Sequence, residues 1–332
     1  MKLLTIIIPA YNVENYIKDA LIPYLSLENT IDLEVLIIND GSKDNTLSLV
    51  KEYEQKYSEF VKVIDKKNGG HGSAINTGVN YATGRYFKVV DGDDWLDTQA
   101  LERLLEYLKK IDVDMVATGF EIVCEDIGQK EEIHIRNIEY GKVYEFESIC
   151  SSIDYVRMHS TIFKTELWKL NKIILDEHCF YVDVEHDLFP LKWLKTVVFY
   201  DLLLYQYRIG RQGQSVSMDS MVKNRNDHMK VIKKIMSLSK DETLSQSIRE
   251  YIDRKLENMV GFQYSILFAS KIGKENKMEL IEYDNWLKNN SIKIYNKIRQ
   301  KKILLLRKTR FEGYYIIKFI HHYFGKKEKY VK

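Results

Sequence analysis

The 332 residues read as an α/β protein, a mostly parallel sheet with helices on both faces followed by a smaller α-helical C-terminal region. Three observations support that reading. Short apolar runs alternate with amphipathic stretches through the first hundred residues, which is βαβα order. A polar turn bearing Asp, Asn or Gly follows each of these runs. From about Met218 the pattern becomes helical, Lys-rich and free of proline. With 45% hydrophobic and 30% charged residues the composition is globular, which excludes a disordered or fibrous chain. A net charge of +2 gives no ground for a nucleic-acid partner.

The elements follow in order. Leu3–Ile8, Leu33–Ile38, Val61–Ile64 and Tyr86–Val90 are apolar runs of strand length; Glu14–Leu27, Asn45–Tyr57, Gly72–Ala82 and Thr98–Lys109 carry helical periodicity between and after them. Val113–Val123 is a further strand, and the alternation of Ile133, Ile135 and Ile138 before Gly141 predicts a hairpin over 131–146. Helices are expected near 219–238, 243–271 and 277–300, so a domain boundary is placed near 218. Cys124, Cys150 and Cys179 are odd in number and form no C-x-x-C pair, which argues against a disulfide framework or a thiolate zinc site and for a reducing compartment. The apolar run after Met1 is too short for a signal-peptide core, and no stretch reaches the roughly 18 apolar residues of a membrane span; a cytoplasmic location is expected.

In parallel sheets, ligands bind outside the carboxyl ends of the strands. The unusual residues of this chain sit there. Asp91-Gly92-Asp93-Asp94 sets three carboxylates within four residues, an arrangement that repels itself unless a cation or hydrogen bonds compensate. A hard divalent ion shared with substrate phosphates would satisfy it, which implies a nucleoside diphosphate ligand. The same acids could instead cap the helix starting at Thr98. An EF-hand is excluded because Leu96 stands where that loop requires Gly. Asn39-Asp40-Gly41-Ser42 is a turn in which Asp40 could accept the N–H of a uracil ring, and Asn68-Gly69-Gly70-His71-Gly72-Ser73 opens a helix in a way that suits backbone approach to phosphate. Ile75 replaces the third glycine of a dinucleotide fingerprint, and no P-loop occurs.

In order and spacing, Ile-Pro-Ala-Tyr-Asn-Val-Glu (8–14), Asn-Asp-Gly-Ser-Lys-Asp-Asn-Thr (39–46), Asn-Gly-Gly-His-Gly-Ser-Ala-Ile-Asn-Thr-Gly (68–78) and Asp-Gly-Asp-Asp (91–94) together resemble the family 2 glycosyltransferases, inverting, nucleotide-sugar-dependent enzymes of the GT-A fold, here of the bacterial cell-envelope or capsular polysaccharide type. The resemblance covers Ile6 to about Ser217. It implies a catalytic domain over 1–218, with a nucleotide-binding half at about 1–100 and an acceptor half at about 101–218, ahead of a helical domain over 219–332. It implies that Pro9, Ala10, Tyr11, Asn12 and Glu14 shape the nucleoside pocket, that Asp40 holds the base, and that Asn68, Gly70, His71 and Gly92 border the nucleotide. Asp91 and Asp93 would form the D-x-D pair that holds Mn2+ or Mg2+ and the diphosphate of a UDP-sugar, Asp93 as the direct ligand. Two positions depart from the family pattern: Asn39 stands in place of an acid and Ile75 in place of an Arg, so Lys66, Lys67 or Lys88 would supply a phosphate contact.

The family's downstream acidic pair falls on Phe180-Tyr181-Val182-Asp183-Val184-Glu185-His186-Asp187, where Val182 replaces the first acid. The resemblance makes Asp183 the general base that takes the acceptor hydroxyl's proton, with Glu185 the alternate because at strand spacing the two share a face. Trp95 is an acceptor platform or a core residue. The segment around Tyr207-Arg208-Ile209-Gly210-Arg211 resembles the family's covering loop, from which Arg208 or Arg211 would face the diphosphate. The expected acceptor is a glycan or lipid-linked glycan. Two other readings stay open: a sugar nucleotidyltransferase, and a catalytically silent scaffold that binds glycan or membrane. Residues 301–332 hold ten Lys/Arg against two Glu, a local +8 that leaves −6 for the rest. Ile316, Phe319, Ile320 and Tyr323 fall at helical spacing, so this segment is expected either to meet a membrane surface, which would make the protein peripheral at the inner face, or to pack on the protein or a second subunit.

Overall fold

The computed structural model describes residues 2–210 and 217–324, with side chains to residue 320. Two compact units divide the chain, residues 1–212 with 237–252 and residues 213–236 with 253–332. The sequence pattern places a single boundary near 218, whereas the two units interleave. Residues 237–252 belong to the first, where the Val156 N–H donates to Tyr251 Oη at 2.8 Å and Phe146 packs edge-on against the Tyr251 ring at 5.4 Å.

The first unit is built on a ten-stranded sheet. Its strands are β1 (Leu4–Ala10), β2 (Leu33–Asn39), β3 (Val61–Asp65), β4 (Tyr86–Val89), β5 (Trp95–Leu96), β6 (Met115–Cys124), β7 (Gln129–Ile133), β8 (Val143–Glu145), β9 (Thr161–Lys164) and β10 (Thr196–Ile209). The order is β3-β2-β1-β4-β9-β6-β10-β5, with β7 on β6 and β8 on β10. β3, β2, β1 and β4 run parallel to one another along that order, while β9 is antiparallel to both β4 and β6. The expected hairpin over 131–146 does not form. β7 pairs with β6 and β8 with β10, both antiparallel, so the two halves of that segment edge different strands.

Helices α1 (Ile17–Leu25), α2 (Thr46–Lys56), α3 (His71–Tyr81) and α4 (Thr98–Leu108) alternate with the early strands, and α5 (Phe146–Ile149), α6 (Thr165–Leu170) and α7 (Val182–Leu188) follow. α1 buries Ile17, Ala20, Leu21 and Tyr24, a stripe at helical spacing, in the same core as Ile6, Ile8 and Leu104. β1 is buried at every position, as a parallel strand covered on both faces must be. The Asp97 carboxylate caps α4 by accepting the Ala100 N–H at 2.8 Å. That cap releases the three preceding acids from the structural role they could have filled.

The second unit contains α8 (Met218–Lys223), most of α9 (Arg225–Ser239), the larger part of α10 (Gln246–Ala269), α11 (Lys274–Asn290), α12 (Ile292–Lys297), α13 (Lys301–Lys308) and α14 (Tyr314–Phe324). Tyr264, Leu280, Leu287, Ile303, Leu306 and Tyr314 are its buried centre. Within it Asp284 accepts from Tyr264 Oη at 2.6 Å and from Arg307 Nε at 2.7 Å. Among the described residues no helix is long and apolar enough to cross a membrane.

Candidate active site

Four loops leave the sheet at the carboxyl ends of β1 to β4, and their polar groups are tied to one another. The Asn12 N–H donates to Ser42 Oγ at 3.1 Å, Asn12 Oδ1 accepts the Lys43 N–H at 2.8 Å, and Glu14 Oε2 accepts both the backbone and side-chain N–H groups of Asn45 at 2.8 Å. Asn12 adopts φ +53, a left-handed conformation that Asn tolerates. Pro9 and Ala10 are buried at the end of strand β1, and Tyr11 is exposed beside them. Asn12 and Glu14 thus latch the first loop to the second, and Tyr11 is the side chain left facing outward.

Asp40 organises the glycine-rich loop. Its Oδ1 accepts from Lys66 Nζ at 2.7 Å and the Gly69 N–H at 2.9 Å; its Oδ2 accepts from the Gly70 N–H at 2.7 Å and Asn68 Nδ2 at 3.0 Å. A carboxylate has about four acceptor positions, and all four are taken. The carboxylate is thus committed to the loop, and Lys66 neutralises it. Neighbouring Asn39 is buried, donates from Nδ2 to Asp65 Oδ1 at 2.7 Å, and keeps an Oδ1 with no partner among the described residues. Lys88 cannot supply the missing phosphate contact. It is wholly buried and donates to the carbonyls of His159 at 2.7 Å and Thr161 at 3.3 Å.

Gly70 sits at φ +85, and a Cβ there would lie 3.1 Å from the His178 N, so glycine is required on both counts. The contact brings the glycine-rich loop against the segment before α7, with the His178 N–H donating to Gly69 O at 2.6 Å. His71 opens α3 and reaches Asp91 Oδ1 through Nε2 at 2.8 Å. Burial lowers the pKa of this imidazole, but the carboxylate of Asp91, with Asp183 and Asp93 beyond it, outweighs burial and raises it above the ordinary value.

Asp91 and Asp93 are half-buried and Asp94 is buried. Gly92 packs on the end of β1, where a Cβ would meet Pro9 O at 2.9 Å. Asp94 anchors the loop, accepting from Tyr205 Oη at 2.6 Å and the Arg208 N–H at 2.8 Å. Burial first, and then the charges of Asp93 and Asp91, raise its pKa well above the carboxylate range. His159, just before β9, faces the same acids; ligand atoms of Asp91, Asp94 and His159 lie within 4.8 Å of one another. Burial, with Asp91 opposing and Lys88 assisting, lowers the His159 pKa to about 4, so its imidazole is neutral at neutral pH, and its Nδ1 has no partner among the described residues. Oxygen ligands plus a neutral imidazole suit Mn2+ well and Mg2+ adequately. The described grouping contains Asp94 and His159 and omits Asp93. Asp94 stands in the acidic motif but outside its D-x-D pair, and His159, a single histidine outside any motif, gives no sequence signal until the fold brings it to the acids.

Asp183 and Glu185 are not at strand spacing: α7 is helical there, and residues two apart on a helix point in different directions. Asp183 is exposed in the first turn. Glu185 is fully buried and accepts the Asp176 N–H through Oε2 at 2.8 Å, holding the segment that packs on the glycine-rich loop. The charge of Asp183 is felt by His71, His159 and Tyr207, all of which also sense Asp91. His186 is a core residue against Phe163 and Trp168, paired with Asp187 at 3.1 Å.

Arg208 is a strand residue of β10, which corrects its expected place in a covering loop. Its guanidinium meets Asp19 and Glu125 at 2.9 Å each and stacks over Tyr16 and Trp95 with ring centroids at 5.0 and 4.9 Å. Trp95 lines a cleft of about 440 Å³ with Arg208, Ile22 and Pro23. Arg211 lies outside the described residues.

A mixed sheet whose parallel strands β1 to β4 gather acids and a glycine-rich loop at their carboxyl ends, flanked and followed by helices, has the organisation of a GT-A domain. The fold of S. aureus TarS 1-349 in complex with UDP-GlcNAc matches over 97% of this chain and 92% of that one, with a TM-score of 0.67 at 18% identity. Mannosyltransferase PcManGT from Pyrobaculum calidifontis, in complex with GDP-Man and Mn2+, matches at TM-score 0.55 and 14% identity over 98% and 88% of the two chains. The chain belongs to Glycosyl transferase family 2, whose profile matches residues 5–172, and so is a transferase by class. Among curated relatives, the uncharacterized glycosyltransferase EpsJ of Bacillus subtilis is 36% identical over 118 residues, 36% of this chain and 34% of the relative. An Escherichia coli chondroitin synthase is 29% identical over 235 residues, 71% of this chain and 33% of the relative. The matched segments thus span about a third of the length of these two relatives.

Proposed function

We propose that this protein moves a sugar, with inversion, from a nucleoside-diphosphate donor to a hydroxyl of a glycan or lipid-linked glycan, in the cytoplasm and in the service of bacterial envelope or capsular polysaccharide synthesis. The observation that carries the reading is the convergence of Asp91, Asp94, His159 and His71 at the carboxyl end of β4, on the sheet of a family 2 member. TarS with UDP-GlcNAc favours a UDP-sugar as donor. The nucleotidyltransferase alternative calls for a basic glycine-rich loop after β1, and here Asn12 and Glu14 are laced to the second loop instead.

Asp91 and Asp93, the D-x-D pair that the resemblance implies, would hold a divalent cation, with His159 facing Asp91; such an ion would offset the charge that builds on a departing diphosphate. Tyr11, Asn68, Gly70 and His71 border the space in which the nucleotide would lie, and Asp40 keeps that border rigid. Asp183, exposed in the first turn of α7, would take the acceptor hydroxyl's proton as that oxygen attacks the anomeric carbon. Glu185 acts behind it as a positioning residue. Calorimetric titration of UDP, GDP and CDP, with and without manganese, tests the reading. One nucleotide should bind only with manganese, and Asp93→Asn should abolish that binding. Absence of binding by all three would overturn the donor site, and equal binding without metal and in Asp93→Asn would overturn the metal role.

A further inference from the structure

Polarity is inverted on the last described helix. In α14 the inward positions are Tyr314, fully buried, and Lys318, 3% exposed, which donates from Nζ to Lys271 O at 3.0 Å and to Tyr314 Oη at 2.9 Å. Lys318 is the one charged residue between Tyr314 and Ile320, and the fold spends it inside. Tyr315, Ile316, Phe319 and Ile320 point outward, 44 to 68% exposed. Residues at these spacings lie on one face of a helix, so the four form a continuous apolar strip without a charge in it. α13 repeats the arrangement, burying Ile303 and Leu306 while Leu304 and Leu305 are 40 and 48% exposed. An aqueous surface gains nothing from this; clustered exposed apolar side chains mark a surface that something covers.

Charge decides what covers it. Lys301, Lys308 and Arg310 are exposed on and just after α13, and residues 301–332 carry ten Lys/Arg against two Glu. Two copies meeting face to face would set these like charges against each other. An anionic bilayer offers the opposite charge and an acyl boundary for the aromatic and aliphatic strip, which is how basic amphipathic helices lie on membranes. We propose that the outward face of α13 and α14 docks in the plane of an anionic lipid surface. This goes beyond the transferase reading and stands or falls independently of it.

The test is co-sedimentation of the full chain with vesicles of phosphatidylcholine alone or mixed with phosphatidylglycerol, beside sedimentation velocity without lipid. The chain should bind the mixed vesicles and not the neutral ones, and raising salt from about 0.1 to about 0.5 M should weaken binding. Ile316→Glu with Phe319→Glu should lower partitioning at least about tenfold while circular dichroism stays unchanged. Should that pair disturb folding, Ile316→Ser with Phe319→Ser gives the same comparison with a milder change. No binding to anionic vesicles at low salt, or undiminished binding by a folded double variant, would overturn the proposal. So would a concentration-dependent dimer that the double variant dissolves, since that result gives the face to a second copy.

Discussion

Replacing Asp40 separates two roles that one carboxylate could have. If it is the pin of the glycine-rich loop, Asp40→Ala strands the Gly69 and Gly70 N–H groups, takes one of the two acceptors of the Asn68 amide and leaves Lys66, whose side chain is 21% exposed, without its counter-charge. Lys66 recovers part of its loss from water. The two backbone donors recover less, because their partner is 2% exposed. Orphaned buried donors cost about 1 to 3 kcal/mol each and loss of one partner of a buried ion pair about 3 to 5 kcal/mol, and these overlap, so the expected loss is about 3 to 5 kcal/mol in all. For a unit of this size that is a fall in Tm on the order of 10 °C. Urea unfolding should show a lower midpoint at unchanged slope, and hydrogen exchange should show lost protection at Gly69 and Gly70. Asp40→Asn keeps one acceptor oxygen and should lose about half as much. A stability change below about 1 kcal/mol, together with weakened nucleotide binding, would refute the reasoning and return Asp40 to the base.

Asp183→Asn should cut turnover by roughly 10²- to 10⁴-fold with donor affinity retained, whereas Glu185→Gln should act mainly on stability, as its carboxylate is buried on the Asp176 N–H; full activity in Asp183→Asn with loss in Glu185→Gln would reverse the assignment. Burial, opposed by the Asp187 carboxylate, lowers the Lys88 pKa from its ordinary 10.5 to about 7. The native state therefore sheds this proton before the unfolded chain does, unfolding takes it up, and stability should climb by about 1.4 kcal/mol per pH unit between about 7 and 10 from this group alone. Lys88→Met should flatten that slope in urea melts at successive pH values, and an unchanged slope would show that another group is responsible.

The alternation of strands and helices was legible because β1, β2 and β4 are mostly apolar runs buried on both faces and β3 alternates buried Val61 and Val63 with exposed Lys62, and the acids were legible because Asp91 to Asp94 are adjacent in the chain. The hairpin over 131–146 was misread because alternation marks a strand without naming its partner, and β6 and β10 both offered edges. The acidic stretch at 180–187 reads as extended because its Val and Tyr residues favour strands, while tertiary packing makes it a short helix buried nearly all round, Val182, Val184 and Glu185 to Leu188 included. Local order along the chain thus determined the sheet, the glycine-rich turn and the aspartates to watch. Which donors fill Asp40, that Arg208 is locked between Tyr16 and Trp95, that His159 joins acids some 65 residues earlier, and that Lys318 turns inward while Phe319 turns out were decided only by the tertiary structure. Burial and hydrogen-bond satisfaction depend on neighbours distant in sequence, and those neighbours exist only once the chain has folded.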